Sequence, residues 1–298
     1  MKKLKQKKFW VEHFNDKKYV KIREQILESF KDLEFDEGPH KYYLHGKEIT
    51  CVSNVTHLFK PHFDEDKMAQ ETYERNYDKE SSKYYRMTPE MIKEQWHQIS
   101  QHACSHGTER HEFAESIFYF MTNQFDKILP QFKDRLEYEE ETGEPVFVAK
   151  EPKEIAAELF YEELPDSLIP ILAETKVYNE KLGYSGTFDL LTYYDATVDG
   201  KSDDKSGLVV MDWKTNRDLY KNFNDEKLLT PFEELLDMPL SIYKLQLSLY
   251  QICLEKIDLK VIARRIMWLL PNSTYDKIPL EPYTRQLEEE LTKHPIVI

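Results

Sequence analysis

The chain has only three cysteines in 298 residues, Cys51, Cys104 and Cys253. They are far apart, so they provide no zinc or iron-sulfur spacing, and they fit a reducing compartment. No run of 18 apolar residues is present, which argues against a membrane-spanning helix. The first residues, Met1-Lys-Lys-Leu-Lys-Gln-Lys-Lys8, are basic but lead into Phe9-Trp10-Val11-Glu12 rather than an apolar secretory core, so no signal peptide is expected. Internal repeats and linkers are absent, and one domain over 1–298 is the expectation.

The chain also lacks the positive excess usual in proteins that grip nucleic acid through phosphates: its formal charge is −14 at pH 7. Tight, non-catalytic binding of long duplexes is therefore disfavoured. A positive groove on an acidic body is not, because the basic residues are patchily placed: Lys2 to Lys8, Arg110, Lys214, Arg217, Lys244, Arg264 and Arg265. Bound divalent cations would also cancel carboxylates locally. Aromatic residues make up 13% of the chain, ample for a core, and charges are interspersed, so a disordered chain is not expected. The chain reads as soluble and cytoplasmic.

The most informative stretch is Gly183-Tyr-Ser-Gly186-Thr-Phe-Asp189-Leu-Leu-Thr-Tyr-Tyr194, a polar segment from Asp195 to Gly207, and Leu208-Val-Val-Met-Asp212-Trp213-Lys214-Thr-Asn216. Both arms are rich in β-branched and aromatic residues, as strands are. Alternation on the second arm sets Val210, Asp212 and Lys214 on one face and Val209, Met211 and Trp213 on the other. On the first arm Thr187, Asp189 and Leu191 share a face. If the two faces coincide, two carboxylates and a lysine converge, a group that can hold Mg²⁺ and steady a water or the charge developing on phosphorus. A surface hairpin with a solvated ion pair is the plainer alternative. Against it, Asp212 ends the apolar run Leu208–Met211, where an unpaired charge is costly and a cation would relieve it.

Elsewhere the pattern gives an amphipathic helix from Trp10 to Phe30, a hairpin over Lys41–Val55 turning at His45-Gly46, and a loop from Thr56 leading into a helix near Ala69. Thr88-Pro89-Glu90 starts a long helix. It continues through Gly107 past His111 and Glu115, which share a face four residues apart. By itself His111 reads as a histidine tied to a nearby backbone or carboxylate rather than as a ligand; His102 and His106 lack a matching pair and fit a surface or structural role. A helix follows over Glu151–Glu163 and a strand over Ile169–Asn179. The strand carries Glu174, which matters only if it faces Asp189. A helix opening at Asp237-Met-Pro239 buries Ile242, Leu245, Leu249 and Ile252 and leaves Gln246 and Tyr250 on a neighbouring face. A strand over Val261–Leu270 and an acidic helix over Thr284–Lys293 close the chain.

In order, Gly107-Thr108-x-x-His111, Glu174, Gly186-x-x-Asp189, Asp212-x-Lys214 and Gln246-x-x-x-Tyr250 resemble the PD-(D/E)XK nuclease superfamily. They are most similar to its RecB-like branch, which includes lambda-type phage exonucleases and the mitochondrial genome maintenance exonuclease. The resemblance spans roughly His40 to Leu270. It implies an α/β fold with a restriction-endonuclease-like core: a central mixed sheet of about four strands flanked by helices, with an N-terminal helical elaboration. Residues 1–125 would carry the hairpin and the histidine motif, 169–270 the catalytic core, and 271–298 a closing strand and helix. It further implies that His111, Asp189, Asp212 and the backbone carbonyl of Trp213 bind one or two Mg²⁺ or Mn²⁺ ions. Asp189, Asp212, Lys214 and Glu174 would be catalytic, with Lys214 orienting or activating the attacking water. Gln246, Tyr250, Thr108 and Arg110 would contact DNA or support the site.

The implied activity is a metal-dependent deoxyribonuclease, an exonuclease of phage or bacterial recombination, repair or replication. Its partner would be single- or double-stranded DNA, with a single-strand annealing or binding protein as a second candidate and no membrane. A structure-specific endonuclease and a catalytically silent DNA-binding module with the same fold are the alternatives. Phe188 stands where the superfamily's name has proline, a position that varies in this branch. With no fourth cysteine, an iron-sulfur cluster is not expected.

Overall fold

The computed structural model describes residues 3–222 and 225–296, so Lys2 of the basic N-terminal run lies outside the described residues. The helices are α1 (Lys8–His13), α2 (Lys17–Ser29), α3 (Val52–His57), α4 (Glu65–Asn76), α5 (Pro89–Met121), α6 (Pro152–Glu163), α7 (Pro239–Glu255) and α8 (Thr284–Lys293). The strands are β1 (Leu4–Lys5), β2 (Leu33–Asp36), β3 (Lys41–Leu44), β4 (Lys47–Cys51), β5 (Leu136–Tyr138), β6 (Pro145–Phe147), β7 (Leu168–Asn179), β8 (Tyr184–Tyr194), β9 (Gly207–Lys214), β10 (Val261–Leu269) and β11 (Tyr275–Pro279). Among the described residues no helix is long and apolar enough to cross a membrane.

The fold is α/β, but the expected sheet of about four strands is corrected to eight, in the order β11-β10-β9-β8-β4-β3-β2 with β7 also paired to β8. Strands β7 to β10 are the ones local pattern reveals. Of the others, β11 adds to β10 by a local antiparallel pairing, and β2 to β4 join through β4 beside β8, a register between distant segments that side-chain alternation does not encode. The expected hairpin forms β3 and β4 but ends at Cys51, since Val52 to Val55 belong to α3; His45 and Gly46 take the two positive φ values, 52° and 76°, of a tight hairpin turn. Its second strand then docks parallel to β8, with Thr50 beside Tyr184 and Cys51 beside Ser185.

Strand β8 is paired with β7 from Tyr184 to Tyr194. Its other edge is divided: residues 184–185 pair with β4 and 190–194 with β9. The stretch 186–189 between them therefore has a ladder partner on the β7 side alone. Alternation sorts the hydrophobic residues as expected. Leu208 and Val210 join Leu245 and Leu249 of α7 and Leu287 of α8 in one core layer. Val209, Met211 and Trp213 join Phe113 and Ile117 of α5 and Phe160 and Tyr161 of α6 in another.

Local chemistry accounts for the helix ends. A reciprocal capping box between Glu151 and Glu154 starts α6, and Pro239 occupies the first turn of α7. The single helix expected over Trp10–Phe30 is two, α1 and α2. They break before Asp16, whose carboxylate pairs with His13 Nδ1 at 2.8 Å and competes with helix propagation. The loop expected from Thr56 begins later, because residues up to His57 complete α3.

The chain divides into two compact units, Met1–Lys60 with Arg110–Ile298, and Pro61–Glu109. The cut falls inside α5. The smaller unit carries α4, which Asp64 caps by accepting from the Lys67 amide at 3.0 Å. Ion pairs join Lys93 to Asp66 at 2.6 Å and His97 to Glu65 at 2.8 Å within it.

Candidate metal centre

Three acids meet because three neighbouring strands are in matching register. Leu190 lies opposite Met211, so one step further along the ladder sets Asp189 opposite Asp212, where β8 and β9 part. On the other side Ala173 faces Leu190 and Thr175 faces Phe188, which places Glu174 opposite Asp189. Adjacent strands are about 4.8 Å apart, so these registers bring the carboxylates within reach of one another. Glu174 has φ +42°, left-handed backbone that costs a residue with a side chain about 1–3 kcal/mol. Strain of this kind persists where surrounding structure holds a side chain in a required direction.

From α5, His111 reaches the same point, with Nδ1 3.2 Å from Asp189 Oδ2. One ligand atom from each of His111, Glu174 and Asp189 lies within 4.8 Å of the others. Asp189 Oδ2 also accepts the Trp213 backbone N–H at 2.7 Å, so Trp213 takes part through its amide. Its indole is packed edge-on to Phe160, centroids 4.9 Å apart, and anchors the end of β9. Asp212 lies outside the three-residue cluster. Its Oδ2 is paired with Lys214 Nζ, and its Oδ1 accepts from Gln246 Nε2 at 3.4 Å.

The electrostatics follow from crowding like charges where water is scarce. Burial pushes Glu174 well above the usual carboxylate range, and Asp189, Glu115 and Asp212 add to it. Burial and the neighbouring Asp189 push Asp212 up to about 6, against the pull of Lys214 and His111. Burial alone would raise Asp189 too, but His111, Lys214 and the Trp213 amide outweigh it and hold it low. Burial opposes the charge on Lys214, yet Asp212 and Asp189 override it, so the amine stays an ammonium. His111 behaves alike: burial disfavours its cation, and Asp189 raises its pKa above 6.5 nonetheless.

The donor set fits Mg²⁺ or Mn²⁺. It offers one imidazole and several carboxylate oxygens, ligands that suit hard or borderline divalent ions. Glu174 Oε1 is buried without a hydrogen-bond partner among the described residues, a state that costs about 1–3 kcal/mol and that a bound cation would relieve. His111, Glu174 and Asp189 are the residues that could hold such an ion.

The supporting residues are on α7. Gln246 Nε2 lies 3.3 Å from Tyr250 OH, and the Tyr250 ring sits against β8, where a Cβ on Gly186 would meet Cε1 at 2.9 Å and Val52 Cγ2 at 3.1 Å. Glycine at 186 thus lets the ring approach the backbone that carries Asp189. Two residues of this network were not singled out from sequence. Lys214 Nζ stands 4.4 Å over the Tyr243 ring, and Tyr243 OH donates to Asn216 Oδ1 at 2.9 Å. The signal was present, since Tyr243, Gln246 and Tyr250 recur at helical spacing on one face. Arg110 is buried and paired with Glu151, which ties α5 to the start of α6 rather than presenting a cation to solvent. Thr108 belongs to the smaller unit, is exposed, and donates to the Cys104 carbonyl at 3.1 Å. His102 and His106 are exposed there, Nε2 to Nε2 3.2 Å apart.

Compared with known proteins, the chain matches no family model and no curated protein.

Proposed function

We propose that this chain is a metal-dependent nuclease that hydrolyses phosphodiester bonds in DNA, acting as an exonuclease. The reading rests on one observation: ligand atoms of His111, Glu174 and Asp189 lie within 4.8 Å of one another, beside a buried Lys214–Asp212 pair. The ordered motif resemblance and the α/β fold support it, and the restriction-endonuclease-like core belongs to the same proposal. A bound Mg²⁺ or Mn²⁺ would supply charge neutralisation and Lewis acidity at the scissile phosphate.

The chain's own groups divide the remaining work. Lys214, held as an ammonium by two carboxylates, serves as a donor and a fixed positive charge near the phosphate; it is not a base. Asp212, pushed up to about 6, is the carboxylate suited to accept a proton near neutral pH. Gln246, bonded to Asp212 and in reach of Tyr250, fixes the direction of that carboxylate.

The test is digestion of end-labelled single- and double-stranded oligonucleotides with Mg²⁺ or Mn²⁺, with EDTA as control, for wild type, Asp189→Ala and Lys214→Ala. Both variants are expected to lose cleavage; turnover retained by either overturns the proposal. Cutting of a covalently closed circle would assign an endonuclease instead. Absence of calorimetric Mn²⁺ uptake dependent on Glu174 and Asp189 would assign a silent module.

A further inference from the structure

We propose that the cavity between α2, the C-terminal end of α5 and strand β7 is a phosphate-binding subsite for the strand that enters the metal centre, an inference that rests on the nuclease function above. The cavity has a volume of about 600 Å³ and shares Glu174 with the metal cluster, so whatever fills it lies next to that cluster. Its charged lining is Arg23, Lys31, Lys127 and Lys176 against Glu24 and Glu174. Lys31 is paired with Glu28, so Arg23, Lys127 and Lys176 stand against the two acids, a local positive excess on a chain whose formal charge is −14.

Arg23 carries the argument furthest. Its guanidinium is stacked 3.9 Å from the centroid of the Phe14 ring, and Nη2 reaches Asn15 Oδ1 at 3.5 Å. Nη1 is buried with no hydrogen-bond partner among the described residues. A buried donor without an acceptor is unfavourable until one arrives, and a planar guanidinium held by stacking is preorganised for the paired oxygens of a phosphate. Lys127 Nζ is held by Gln124 Oε1 at 2.8 Å, and Lys176 follows Glu174 by two residues on β7. The cavity thus combines an unfilled guanidinium donor with further cations and an edge formed by Glu174 of the metal cluster. Phosphate from a nucleic-acid strand is the anion that the adjoining chemistry would bring there.

The phosphate can come from a strand end or from the backbone, and the test separates the two. Wild type, Arg23→Gln and Lys176→Gln are titrated against fluorescent single-stranded oligonucleotides bearing 5′-phosphate, 3′-phosphate or hydroxyl ends, with Ca²⁺ replacing Mg²⁺. Arg23→Gln is expected to weaken binding about tenfold and to flatten the slope of log K against log salt by about 0.7, the value for one single-strand phosphate contact. Lys176→Gln, at an exposed position that leaves the fold intact, is expected to show the same change in slope with a smaller loss. If the loss is confined to one phosphate-ended oligonucleotide the subsite takes a terminal phosphate; an equal loss for all ends assigns the backbone. Folded variants that bind like wild type, with unchanged salt slopes, overturn the subsite. Arg23-dependent binding by a wild type that cleaves nothing sinks the nuclease reading alone, whereas normal cleavage with indifferent variants sinks the subsite alone.

Discussion

Replacing Glu174 by glutamine should stabilise the metal-free protein and remove its response to metal. In wild type the carboxyl has a buried, unpartnered Oε1, and burial among Asp189, Glu115 and Asp212 pushes its pKa well above the ordinary 4.5. The folded state therefore binds a proton more tightly than the unfolded chain does. The stability this contributes is fully present below pH 4.5 and is lost as pH rises towards the folded value. Glutamine does not titrate, so relative to the variant, wild type loses stability above that point, by about 1–3 kcal/mol for a buried carboxyl oxygen without a partner. For a chain of this size, 1–3 kcal/mol corresponds to roughly 2–6 °C in Tm. With Mn²⁺ at a thousandfold excess over Kd the order reverses, because binding stabilises wild type by about 4.1 kcal/mol, more than the deficit, and the variant lacks a ligand. Scanning fluorimetry at pH 4.5 and pH 7, in EDTA and in Mn²⁺, checks each arm. A variant that melts below wild type in EDTA at pH 7, or that keeps the full Mn²⁺ shift, refutes the reasoning.

Further outcomes follow from the same geometry. Gly186→Ala places a Cβ 2.9 Å from Tyr250 Cε1; displacement of the ring should cost about 1–3 kcal/mol by overpacking and lower cleavage through Gln246, which denaturation and steady-state rates would report. Because Asp189 raises His111 above 6.5, protons compete with the metal from a higher pH than for an ordinary histidine. Mn²⁺ affinity should then fall about tenfold per pH unit below that point as one proton is displaced; calorimetric affinities that stay flat from pH 8 to about 5.5 would count against His111 as a ligand. Far from the site, burial opposes the charge on Asp195, but Thr197, Tyr19 and Lys18 bond it and hold it down to about 2. That stability is present above 3.8 and is lost as pH falls through about 2, so Asp195→Asn should destabilise by roughly 2 kcal/mol at pH 7 and by progressively less in acid melts below that range.

Local periodicity made much of this protein legible. Alternation along Gly207–Lys214 assigned Val210 and Met211 to opposite core layers, and a proline after a capping position marked the starts of α5 and α7. Asp189, Asp212 and Lys214 were identifiable because charged residues at the end of an apolar strand demand partners. These features depend on residues close in sequence, whose side-chain directions follow from backbone period alone.

Other features depended on which distant segments pair. The hairpin at His45-Gly46 was readable, but its docking on β8, which adds β4, β3 and β2 to the sheet and leaves residues 186–189 free on one edge, was not. Glu174 mattered only if it faced Asp189, and the β7–β8 register, together with a left-handed φ, brings it there. Asp212 went to Lys214, and Arg110 went inward to Glu151, because each buried charge takes the partner that folding brings within reach. Composition and period state what each segment can do; which charges share a site is decided when strands far apart in the chain come into register, since only then do their desolvation and mutual repulsion exist.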